Sequence, residues 1–120
     1  MELWGTADTP SVDWVVRLCQ VRPDDVAIGL AMGILRAKVS ASRPERYVID
    51  LGHSAGSIPA GHSIRIDIAG SCFPTLDRNL HIRDIAFSAK TRVARQSIHH
   101  SAATSSRLLL PILTGGKFRP

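Results

Sequence analysis

Residues 52–56 read Gly-His-Ser-Ala-Gly and match G-x-S-x-G, the pattern of a nucleophile elbow that holds a serine hydroxyl exposed on a tight strand-to-helix turn. The chemistry that elbow performs, acyl transfer through an activated serine, needs a helix directly after it, whose N-terminal N–H groups help to hold the oxyanion. Here Ser57-Ile58-Pro59-Ala60-Gly61 leads into an alternating stretch instead, so Ser54 is expected on a Gly/Ser loop and not as a nucleophile. A chain of 120 residues is also short for the parallel sheet, covered by helices on both faces, that carries such an elbow. Ser54, Asp77 and His99 can be written as a triad, but triads are defined by geometry, and residue types alone do not make one.

Five histidines raise the question of a metal or acid–base centre. The adjacent pair His99-His100 would point to opposite faces of a strand, and no H-x-H or H-x-x-x-H supplies converging ligands. Cys19 and Cys72 are too few for a disulfide framework and lack metal-ligand spacing, so both are expected as buried thiols. The residues therefore predict no catalytic residue, no metal and no cofactor on this chain.

Fifteen Lys and Arg against ten Asp and Glu give a net charge of +5. Arg17, Arg22, Arg36, Arg43, Arg46, Arg65, Arg78, Arg83, Arg92, Arg95 and Arg107 are nevertheless spread singly, with few aromatics between them. A nucleic-acid site needs several cations on one face, so the charge is read as a solvated, salt-bridged surface. The N-terminus has no basic region followed by an apolar core, and the apolar run 26–35 contains Gly29 and Gly33 and falls short of the roughly 20 residues a membrane helix needs. The expectation is a cytoplasmic protein without membrane or nucleic-acid partners.

The elements that would position these residues are strands. In 61–71 the apolar residues alternate, placing Ile64, Ile66 and Ile68 toward a core and Arg65 and Asp67 outward. Phe73-Pro74 ends that strand, and Asp77-Arg78-Asn79 reads as a polar loop. Residues 2–6 are the tail of a strand, and 13–21 form a strand apolar on both faces. Residues 26–32 and 34–39 read as two short strands separated at Gly33, with a helix as the alternative. Strands follow at 46–51 and 93–100, while 81–91 has no clean period. Residues 106–113, with their Leu-Leu-Leu run, suit a strand buried on both faces. Residues 114–120 read as a frayed tail, leaving a single domain over 1–113. Short strands between frequent turn signals predict an all-β antiparallel β-sandwich.

Several segments together carry a resemblance. Asp13-Trp14-Val15-Val16-Arg17-Leu18, Gly33-Ile34-Leu35-Arg36, Tyr47-Val48-Ile49-Asp50-Leu51, Gly61-His62-Ser63-Ile64-Arg65, Phe73-Pro74 with Asp77-Arg78-Asn79, and Ser106-Arg107-Leu108 with Leu110-Pro111 follow one pattern in order. The chain resembles the C-terminal domain of the Xaa-Pro dipeptidyl-peptidase and cocaine esterase family of serine hydrolases. The resemblance implies a jelly-roll, galactose-binding-like sandwich that begins after the domain's first strands and packs against an α/β-hydrolase catalytic domain. It also implies that nucleophile, acid and base lie in that other domain, so no catalytic role transfers to a residue here. Asp24-Asp25-Val26 departs from the family's Asp-Gly turn, and Cys72 stands where a polar residue is usual. Three functions follow: an accessory module of a hydrolase; a carbohydrate-binding module, for which Trp4, Trp14, Tyr47 and three Phe are few and patterned inward; and a small esterase using Ser54. The residues and the resemblance together favour the accessory module.

Overall fold

In the run Val12-Asp13-Trp14-Val15-Val16, the side chains on both faces are buried, which only a strand covered on both sides tolerates. A computed structural model of the chain describes residues 1–39, 43–82 and 90–113. It makes this run a segment of β2 (Ser11–Val21), the middle strand of a three-stranded antiparallel sheet. β3 (Ala27–Lys38) lies on one side of β2 and β5 (Ser63–Ala69) on the other. A second antiparallel sheet has the order β4-β1-β6, built from β1 (Glu2–Ala7), β4 (Glu45–Val48) and β6 (Gln96–Ile98). The described residues contain no helix, and the two sheets form a β-sandwich.

Alternation explains the core. Leu3 and Tyr47 come from the small sheet, Val12, Trp14, Val16 and Ala37 from the large one, and Ile49 from the end of β4. The Trp14 and Tyr47 rings meet with centroids 5.6 Å apart and planes tilted by 40°, a favoured arrangement for two aromatic quadrupoles. The β2–β3 hairpin turns on Arg22-Pro23-Asp24-Asp25, where Asp25 N–H donates to the Arg22 carbonyl (3.0 Å) and Arg22 N–H to that of Val26 (2.9 Å). Proline presets φ at the second position of this turn, and Asp25 closes it with a φ of +64°. The chain thus places an aspartate where glycine is the unstrained choice.

Several expectations are corrected. Gly33 does not break the chain into separate strands: β3 is continuous, and Gly33 is needed because a Cβ there would run into the Asp50 carbonyl. β5 is an edge strand beside β2, and of its three isoleucines, all expected toward the core, only Ile66 and Ile68 pack on it. Ile64 is 47% exposed because it pairs with Gln20 near the far end of β2, and the strands of the small sheet are too short to cover that end. Residues 106–113 form no strand: Arg107 makes an isolated bridge to Glu2, and the following apolar side chains are largely exposed, Leu113 at 97%. β4 and β6 are also shorter than the predicted 46–51 and 93–100. Residues 114–120 and most of 81–91 lie outside the described residues.

Candidate functional site

Asp13 is a carboxylate with 1% exposure on the face of β2 opposite Trp14, and such a group needs a full set of partners. Antiparallel pairing puts Arg36 of β3 directly across from it, and the guanidinium grips both carboxylate oxygens, Nε at 2.8 Å and Nη2 at 2.9 Å. Asn79 arrives from the loop after β5. Its Nδ2 donates to Asp13 Oδ1 at 2.8 Å and to Ser11 Oγ at 3.1 Å, while its Oδ1 accepts the His81 N–H at 2.8 Å. Arg36 Nη2 also donates to the Asp77 carbonyl (2.6 Å), and Gln96 of β6 donates to the Asp13 carbonyl (2.9 Å). Burial pushes the Asp13 carboxyl up, but hydrogen bonds from Arg36 and Asn79 overcome this and hold it below the ordinary aspartate value. The Asp-Arg-Asn segment therefore works as a clasp that fixes the loop onto the outer face of the large sheet.

Arg78 and Asn79 of the same loop help to line an open cleft of about 620 Å³, bounded by residues after β5 and by those leading into β6. Phe73, Arg78, Asn79, His81, Arg92 and Gln96 are among its walls. His81 holds a φ of +57°, and its Nδ1 lies 3.0 Å from the Ser11 carbonyl. A carbonyl only accepts, so Nδ1 carries the hydrogen and Nε2 is the nitrogen left for other partners.

A second clasp closes the small sheet. Glu2 is held by Arg107 (2.7 Å) and Arg46 (3.1 Å), and the hydrogen bond from Arg107 above all lowers its carboxyl from the ordinary value. Ser106 Oγ accepts the Trp4 N–H (2.9 Å) and donates to the His99 carbonyl (2.8 Å). The Ser-Arg-Leu segment thus ties the chain beyond β6 back to β1.

Ser54 lies on an exposed loop spanning 52–61, with β5 and not a helix as the next element. Among the described residues it has no hydrogen-bond partner, and His99 is engaged elsewhere, its Nε2 3.1 Å from Thr6 Oγ1. His62 pairs with Gln20 (2.5 Å), and His53 and His100 are exposed. Cys19 is buried, as expected. Burial pushes its thiol up, as does the Asp67 carboxylate that accepts its S–H. Cys72 is only half-buried, against Met32. Among the described residues no three His, Cys, Asp or Glu side chains converge as metal ligands, and no helix is long and apolar enough to cross a membrane. The node around Asp13 had one signal in the sequence, an aspartate inside an apolar run. Its partners had none, because the strand register brings Arg36 to it and the loop after β5 brings Asn79.

A family model described as the X-Pro dipeptidyl-peptidase C-terminal non-catalytic domain matches residues 1–109. The chain belongs to this family. In this X-Pro dipeptidyl-peptidase C-terminal domain, both clasps fall within the matched region. A relative, the cocaine esterase of Rhodococcus sp. (strain MB1 Bresler), is 25% identical over an alignment covering 92% of this chain. The alignment covers 22% of that protein's length.

Proposed function

We propose that this domain is the accessory β-sandwich of a serine hydrolase of the dipeptidyl-peptidase and cocaine esterase type, a jelly-roll, galactose-binding-like unit that packs beside an α/β-hydrolase domain. That neighbour performs ester or X-Pro peptide hydrolysis, and this domain contributes surface and rigidity without a catalytic group. A cytoplasmic location belongs to the same reading. The observation that carries the proposal is the family match over residues 1–109. Support comes from the use to which the matched polar residues are put: Asp13, Arg36, Asn79, Ser106 and Arg107 all bond to one another or to the backbone of this chain. Ile28, Ile64 and Val26, exposed at the end of the large sheet that the small sheet leaves bare, offer apolar surface to a neighbour. Mixing the chain with an α/β-hydrolase domain of the same family, expressed without its own C-terminal domain, tests this by sedimentation velocity. A complex weakened by Ile28→Asp and Ile64→Asp is expected, and two freely sedimenting species would count against it.

A further inference from the structure

The cleft beside the Asp13 clasp has an unbalanced lining. Arg78, Arg92 and His81 contribute to it, and among the described residues no Asp or Glu does. Arg22, Arg36, Arg46, Arg65 and Arg107 each hold a carboxylate, whereas Arg78 and Arg92 have no ion-pair partner among the described residues. The nearby carboxylate of Asp13 is already taken, bidentately, by Arg36 and by Asn79. The walls are also fixed: Gln96 is tied to the Asp13 carbonyl, and Gly70 lets the chain pass so close that a Cβ there would meet Gln96 Oε1. His81 is held at Nδ1 in a backbone conformation unusual for a residue with a side chain, the kind of outlier that clusters at ligand sites. Two large apolar side chains also line it, Phe73 at 74% and Val93 at 86% exposure, each costly to leave in water.

We infer that this cleft binds a small organic carboxylate with an apolar body, its carboxylate between the Arg78 and Arg92 guanidiniums and its body against Phe73 and Val93. Planar, forked guanidiniums suit a carboxylate better than a point charge does. A volume of about 620 Å³ falls within the range of small-molecule pockets. The inference does not depend on the proposed hydrolase partnership, since every residue it uses lies on this chain.

Isothermal titration of the whole chain with benzoate, hexanoate, acetate and galactose tests it. Benzoate and hexanoate should bind roughly tenfold or more tighter than acetate, because only they bring apolar area to the rim. Arg78→Met and Arg92→Met, each on an exposed side chain, should weaken benzoate by about tenfold, the usual worth of a charge-assisted hydrogen bond. Arg43→Met, an exposed arginine outside the cleft lining, should change nothing, and unchanged urea midpoints will show that the variants fold. Phe73→Ala should erase the advantage of benzoate over acetate. The inference is overturned by any of four results: no heat with benzoate, benzoate binding by the two arginine variants unchanged from the native chain, acetate matching benzoate, or galactose binding at least as well. A glutamate-containing, blocked peptide that binds much tighter than benzoate would also overturn it, by assigning the cleft to a protein carboxylate.

Discussion

Asn79→Asp changes one nitrogen to oxygen at the centre of the clasp while keeping the shape of the side chain. The new oxygen would face Asp13 Oδ1 at the 2.8 Å now spanned by an N–H···O bond, and Ser11 Oγ at 3.1 Å. The loss includes a hydrogen bond to a charged group, about 1.5–3 kcal/mol, together with the cost of placing a second carboxylate where one guanidinium serves both. These contributions overlap, and a total of about 3–5 kcal/mol at pH 7 is expected, in the range for breaking a buried ion pair. The sign of the pH dependence separates this cause from simple misfit. In the native chain the Asp13 carboxyl titrates below its ordinary value, so its contribution is complete above the normal aspartate range and is lost only as the pH falls through the lowered value. In the variant the paired carboxyls bind a proton more readily than in the unfolded chain, so stability should rise as the pH falls from 7 to 5. Urea midpoints of both proteins at several pH values read the effect as a difference, in which other titrating groups cancel. The gap should narrow by about 1–2 kcal/mol over that range, since each unit of pKa shift is worth about 1.4 kcal/mol. Asn79→Ala should be destabilised without recovering in acid. Parallel curves for Asn79→Asp and the native chain, or a loss below about 1 kcal/mol at pH 7, would refute the assignment of Asn79 as a partner of the Asp13 carboxylate.

Three further outcomes follow from the same structure. Tyr47 is the chain's one tyrosine, and burial together with its hydrogen bond to Glu45 pushes its phenol up to about 12, so absorbance at the phenolate band should titrate near there while the fold persists. A raised phenol pKa costs stability as the pH climbs above the ordinary value, so a midpoint at that ordinary value without loss of circular dichroism would contradict its burial. Ile66→Ala should cost about 2–3 kcal/mol in urea unfolding and Ile64→Ala under about 1, since only the former packs on the core; equal losses would mean a shifted register in β5. Asp25→Gly should raise stability by about 0.5–1 kcal/mol by relieving the positive φ, and a loss would show that the Asp25 side chain matters more than its backbone.

Periodicity made the sandwich legible because it reports the two faces of each strand, and both β2 and the Ile66–Ile68 side of β5 follow it. It failed where burial depends on how far the opposite sheet extends. Ile64 has the same alternating pattern as its core neighbours but is half exposed, because the short strands β1, β4 and β6 do not reach the end of the large sheet where it sits. Gly33 looked like a breaker because glycine usually weakens a strand; here its missing side chain makes room for the Asp50 carbonyl, a contact between segments far apart in sequence. The departure at Asp25 was visible through the family resemblance, whose Asp-Gly turn has a glycine where this chain has an aspartate, and the positive φ of Asp25 bears out the conformation that glycine serves. The cleft was invisible for a different reason. Arg78 and Arg92 are separated by residues with no common period, and dispersed charges in sequence say nothing about which of them lack carboxylates in space.

The claim that the hydrolytic chemistry lies outside this domain is tested most directly at Ser54. Incubating the purified chain and its Ser54→Ala variant with a fluorophosphonate probe, followed by peptide mass mapping, reads whether the serine is activated. No adduct on Ser54 is expected, with equal, negligible turnover of a p-nitrophenyl ester by both proteins, because the serine sits on an exposed loop without a base or a following helix. A stoichiometric adduct on Ser54, with ester turnover that disappears in Ser54→Ala, would contradict it.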